Sequence, residues 1–125
     1  MKLFALAFFA FTVLLGAADA TGKWSGTLNV TTPDGGQRRS PVLLVLKQDG
    51  TKITGTGGRD ASDRRDIQEG KIEDNKLTFV IEAGESPIHF VLTLDGDELN
   101  GNASRTREGE KETAKILTKR TKEGE

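Results

Sequence analysis

An all-β fold is predicted: a single eight-stranded antiparallel meander closed into an up-and-down β-barrel, preceded by a cleaved signal peptide. Three observations predict it. From Thr21 onward apolar and polar residues alternate with period two, and no helix-period segment follows residue 20. Turn signals rich in Gly, Asp and Asn return every 8–12 residues. One layout also recurs, two extended runs about a two-residue turn, at residues 41–58 around Asp49-Gly50, 67–82 around Asp74-Asn75 and 88–103 around Asp95-Gly96. Short sequential connections favour pairing between neighbours in the chain, which favours the barrel; a two-sheet sandwich is the alternative.

Residues 1–20 form the first element. Lys2 supplies a positive start, residues 3–15 are apolar apart from Thr12, and Ala18-Asp19-Ala20 presents the small residues of a cleavage site, placed after Ala20. The apolar run is shorter than the roughly 20 residues a spanning helix needs. The mature product is therefore expected to be soluble and exported, periplasmic or extracellular, without a membrane anchor. The absence of Cys excludes a lipoprotein anchor and a disulfide framework.

The 125-residue chain has a net charge of −1, and losing Lys2 and Asp19 with the leader leaves that unchanged. A balanced surface gives no reason to expect nucleic acid or an anionic membrane as partner. Residues 21–120 make one domain and 121–125 a solvated tail.

Strand one is expected over 23–31, with Trp24, Gly26, Leu28 and Val30 facing inward, and a polar loop over 32–40 ends it. Centring the hairpins on Asp49-Gly50 and Asp95-Gly96 pairs Leu46 with Ile53, Leu44 with Gly55, Leu92 with Leu99, Phe90 with Gly101 and Ile88 with Ala103. The Asp74-Asn75 turn pairs Ile72 with Leu77 and Gly70 with Phe79. A loop over 104–111 leads to strand eight over 112–120, with Ala114, Ile116, Thr118 and Arg120 inward. Leu28, Val30, Val42, Leu44, Leu46, Ile53, Ile72, Leu77, Phe79, Ile81, Ile88, Phe90, Leu92, Leu99 and Ile116 are predicted to fill the interior, with inward Gly26, Gly55, Gly70 and Gly101 as the only sign of spare room.

Gly22-Lys23-Trp24 at the head of strand one, with Arg120 near the end of the last strand, resembles the G-x-W and late basic residue of lipocalin-type and related calycin barrels. The resemblance implies an indole that plugs one end of the barrel with the guanidinium lying across it. The chain is shorter than a lipocalin and nearer an avidin in length; with no Tyr and one Trp, an avidin's aromatic cage has no counterpart here. Closing an eight-stranded meander independently brings Arg120 beside Trp24, where a cation–π contact contributes about 0.5–2 kcal/mol.

The residues do not point to catalysis, and no enzyme activity, cofactor or metal is expected. His89 is the one histidine and falls on an outward position. One His and no Cys leave too few preferred zinc ligands, and the loop carboxylates lack the dense regular spacing of a calcium site. Gly55-Thr56-Gly57-Gly58 precedes no helix and is not a phosphate loop. Asn29 and Asn102 head N-x-Ser/Thr triplets, which matter only in a secretory pathway that glycosylates. Outward Val80 and Val91 on neighbouring strands form a small apolar patch for weak self-association of a monomer.

Arginine alone is unevenly distributed. In a meander the odd-to-even connections share one end, and those connections with their flanks hold Arg38, Arg39, Arg59, Arg64, Arg65, Arg105 and Arg107, every Arg but Arg120. Arg forms bidentate bonds to carboxylate and phosphate that Lys does not, so this end is either an anion-reading rim or a set of solubilising loops. Two functions follow: a binding module for a small or anionic ligand at the open Arg-rich end, or an interaction or inhibitor module whose loops engage another protein.

Overall fold

The computed structural model describes residues 19–32, 34–84 and 86–121. The expected leader falls almost wholly on residues 1–18 and the expected tail on 122–125, outside the described residues. Eight strands, β1 (Gly22–Thr31), β2 (Gln37–Asp49), β3 (Lys52–Asp60), β4 (Asp63–Glu73), β5 (Lys76–Ala83), β6 (Ser86–Asp95), β7 (Glu98–Arg107) and β8 (Glu110–Arg120), close in chain order into one antiparallel barrel. β1 pairs with β8, and Trp24 stands opposite Arg120. The predicted meander is the observed topology; the sandwich is not.

Two hairpins turn one residue later than expected. Asp49 pairs with Lys52 and Asp95 with Glu98, so the central residues are Gly50-Thr51 and Gly96-Asp97. Positive φ falls on Gly50 and Gly96 alone, as in a II′ turn, which takes Gly at its first central position. An Asp-Gly reading for I′ demands left-handed backbone at Asp as well. The cheaper backbone moves the register by two, so Leu46 faces Gly55, Leu92 faces Gly101 and Phe90 faces Ala103. An even shift keeps each residue on its predicted face. The Asp74-Asn75 turn and the Ile72–Leu77 pair stand as expected, but β4 bulges between Gln68 and Lys71, and Gly70 does not pair with Phe79. Phe79 instead stacks on Phe90, with ring centroids 4.6 Å apart.

The expected loop over 104–111 is mostly strand. Arg105 pairs with Glu112 and Arg107 with Glu110, leaving only Glu108-Gly109 as the turn. Both of those residues have positive φ, the I′ pattern that the acidic-Gly signal elsewhere failed to deliver. β2 likewise starts at Gln37, inside the expected first loop.

One end of the barrel is laced shut by its turns. The second central residue of each accepts a bond from the next strand: Ile72 N–H to Thr51 O (2.9 Å), Leu94 N–H to Asn75 O (2.8 Å) and Arg120 N–H to Asp97 O (2.8 Å). Above these turns Trp24, Leu46, Ile53, Leu77, Phe79, Leu92, Leu99 and Ile116 are buried as a solid plug. Leu94, Ile67, Ala103 and Ala20 join the core beyond the predicted set.

Gly26 and Gly101 are two of the places where a neighbouring strand comes closest to the backbone. A Cβ on Gly26 would strike the Leu117 carbonyl, and one on Gly101 the Val91 carbonyl, so these positions exclude a side chain because a neighbouring backbone fills the space. They are closure points of the sheet and provide no room inside it.

Candidate ligand-binding site

The room lies at the opposite end. Leu28, Val30 and Ile88, predicted to fill the interior, are only half-buried and line a cavity of about 490 Å³ instead. Its walls are Leu28, Val30, Val42, Ile81, Ile88 and Phe90, and Leu44 lies towards its floor. From Arg38 at the rim to Leu44 is six residues of β2, about 20 Å of extended chain. The space exists because inward positions in this half are small: Ser40, Gly57, Ala103 and Ala114 all line it. A Cβ on Gly57 would meet only the side-chain methyls of Leu44 and Ile81, at 2.8 and 2.9 Å. Gly57 is thus crowded by side-chain ends that can move, whereas Gly26 and Gly101 are crowded by backbone.

Four of the seven arginines at this end reach the cavity. Arg38 from β2, Arg59 from β3, Arg65 from β4 and Arg105 from β7 line it together with Asp63 and Glu112. Strand parity explains the division, since Arg38 shares the inward face of β2 with Val42 and Leu44 while Arg39 takes the alternate face. Arg64 is excluded in the same way; its Nη1 donates to Thr56 Oγ1 at 3.3 Å and its Nε to the Ala61 carbonyl at 3.1 Å. Arg107 lies at the lip, where its Nη2 is 3.3 Å from Glu112 Oε2.

The lining arginines differ in what already holds them. Arg105 Nε is 3.1 Å from Glu112 Oε1, with both side chains largely buried at 21% and 12% exposure. The Arg105 hydrogen bond, reinforced by the nearby Arg107 charge, holds the Glu112 carboxyl below its ordinary range. Arg59 pairs with Asp63 at 3.0 Å in the open. Among the described residues Arg38 and Arg65 have no carboxylate within ion-pair distance; Arg65 Nη1 reaches only the Glu82 carbonyl, at 3.4 Å. These two cations keep donors available over an apolar chamber.

The surrounding loops are fixed by their own polar groups. The Thr32 hydroxyl and the Gly36 N–H bond the Asp34 carboxylate, and the Ser62 hydroxyl and N–H bond that of Asp60, each at 2.9 Å for Ser62. In both cases the hydroxyl bond is the leading cause that lowers the carboxyl pKa. Outside the cavity, His89 is exposed on the outer wall, in a shallow depression beside the β4 bulge with Glu69, Lys71 and Val80.

Glu112 and Asp63 are the charged site residues that sequence reasoning missed. Counting back from Ile116 in steps of two reaches Ala114 and then Glu112, which puts a carboxylate on the inner face. The expected 104–111 loop hid its partner, because Arg105 was not recognised as its cross-strand neighbour.

The fold and site define an eight-stranded antiparallel barrel, plugged at one end and open to an arginine-rimmed chamber at the other. No family model, curated protein or solved structure matches the chain.

Proposed function

We propose that this protein is an exported, non-enzymatic binding module that takes a small molecule with an apolar body and an anionic group into the open end of its barrel. The observation that carries this reading is the coincidence of an apolar chamber with two guanidinium groups at its mouth, Arg38 and Arg65, that have no carboxylate partner among the described residues. A volume of about 490 Å³ falls in the range of small-molecule sites, and a largely apolar wall with a few placed polar groups is their usual composition. The apolar wall supplies affinity without direction, while Arg38 and Arg65 orient the anion at the solvent edge. The resemblance of Trp24 and Arg120 to calycin barrels supports the same reading, and the export part rests on the composition of residues 1–20.

Titration with anilinonaphthalene sulfonate, an aromatic anion whose fluorescence rises in apolar surroundings, tests the proposal. Saturable binding to the natively folded protein is expected, with weaker binding by Arg38→Ala/Arg65→Ala. Ala114→Phe, which places a ring in the chamber, is expected to abolish binding while the thermal melt stays native. Failure of the parent to bind, or equal binding by Ala114→Phe, would sink the proposal.

A further inference from the structure

The barrel makes structural use of two residues that processing after Ala20 would discard. Ala20 is fully buried, and its carbonyl accepts the indole N–H of the equally buried Trp24 at 2.9 Å. Its own N–H donates to Gln48 Oε1 at 2.9 Å. The Asp19 carbonyl accepts a bond from Arg120 Nη2 at 3.1 Å, and Asp19 Oδ1 accepts the Thr21 N–H at 2.9 Å. Asp19 and Ala20 thus complete the closed end around the Trp24–Arg120 pair.

Removing them would harm that end in three ways. The indole N–H would stay buried without its acceptor, a situation native structures avoid. Arg120 Nη2 would also lose its Asp19 carbonyl acceptor, and Gln48 Oε1 its donor, the Ala20 N–H.

We propose that the processing site is the Ala18–Asp19 peptide bond, and that the mature protein begins at Asp19. The inference rests on reading the N-terminal segment as an export leader. Gly16-Ala17-Ala18 offers small residues immediately before the bond and two further back, as Ala18-Asp19-Ala20 does, so the cleavage pattern alone does not separate the two bonds. The folded product separates them. The step is hydrolysis by a membrane-bound signal peptidase: water's hydroxyl goes to the Ala18 carbonyl carbon and its proton to the Asp19 nitrogen, releasing residues 1–18. Cleavage at this bond leaves Ala20 in the core with its carbonyl on the Trp24 indole.

The full chain, expressed with its own N-terminal segment in a bacterium with a general secretion pathway, gives the test through intact mass and N-terminal sequencing of the exported protein. The mature chain is expected to start Asp19-Ala20-Thr21. A start at Thr21 would overturn the assignment while leaving the export reading intact, whereas an uncleaved chain would overturn the export reading itself and the assignment with it. Gly16→Lys provides an independent arm, because it spoils the small-residue pattern for the Asp19 bond only. It is expected to remove the Asp19 product, and any chain that then starts at Thr21 is expected to melt roughly 4–8 °C lower, as for the loss of about one net hydrogen bond in a domain of this size. An unchanged product mass from Gly16→Lys would refute the proposal.

Discussion

The guanidinium carbon of Arg120 lies 4.3 Å from the ring centroid of Trp24, across the seam where β8 meets β1. The same guanidinium donates to the Thr21 and Asp19 carbonyls and pairs with Asp97 at 3.0 Å. One side chain thus ties the two ends of the sheet to the β6–β7 turn. Trp24→Ala removes a fully buried indole and is expected to destabilise the fold by about 3–5 kcal/mol. Arg120→Lys keeps the charge but loses the planar fork, for an expected loss of about 1–2 kcal/mol. Urea unfolding followed by circular dichroism measures both; a parent-like midpoint for Trp24→Ala would contradict the plug.

A second prediction concerns Glu112. Its carboxyl is held below the ordinary value of 4.5, first by the Arg105 hydrogen bond, against an opposing effect of desolvation. A folded-state pKa below the unfolded one means that the charged form stabilises the native state. That contribution is complete above the unfolded value and disappears as pH falls through the lowered folded value. The stability advantage of the parent over Glu112→Gln should therefore be constant from neutrality to about pH 5.5 and shrink below the ordinary glutamate range. Paired urea melts across that window provide the check, and a gap that widens on acidification would contradict it.

The glycines give a third. Gly101→Ala drives a methyl group into the Val91 backbone carbonyl, which has no room to retreat without breaking the ladder, and should cost about 2–3 kcal/mol. Gly57→Ala presses only on flexible methyls of Leu44 and Ile81 beside the cavity and should cost less than about 1 kcal/mol. Denaturant midpoints for the two variants rank them directly; a reversed order would mean that the tight and open regions of the wall are misplaced.

Those two glycines also show what was legible in the sequence and what was not. Period-two alternation is a property of every residue, so strand count, chain order and inward faces could be read without any turn being placed correctly. Leu46, Leu92 and Phe90 stayed on their predicted face through a two-residue register error. Whether an inward glycine marks a hole or a collision depends on how closely the next strand approaches, which composition does not encode. Gly26, Gly55, Gly70 and Gly101 were read as spare room, and a Cβ at each would strike a neighbouring backbone carbonyl. The real space is lined by Ser40, Gly57, Ala103 and Ala114, small residues from four strands. The arginine cluster was visible as a count, but its division into Arg38 and Arg65 inside and Arg39 and Arg64 outside follows from strands that reach further into the loops than turn signals suggested.

That division makes the final prediction, which rests on the proposed ligand site. If binding of an apolar anion depends on the field of the whole arginine-rich end, all four residues contribute comparably. If it depends on donors aimed at the chamber, only the inward pair matters. We expect Arg39→Ala/Arg64→Ala to bind anilinonaphthalene sulfonate within about twofold of the parent, and Arg38→Ala/Arg65→Ala to bind roughly tenfold more weakly, the equivalent of one charge-assisted hydrogen bond. Arg38→Lys/Arg65→Lys distinguishes fork from charge, since Lys restores the field but not the paired donors. Raising salt to about 0.15 M should weaken parent and outward variant in parallel, because screening acts on exposed charge at the mouth while the apolar contribution persists. Equal losses from the inward and outward double variants, measured by calorimetry at low salt, would show that the mouth attracts anions without reading them.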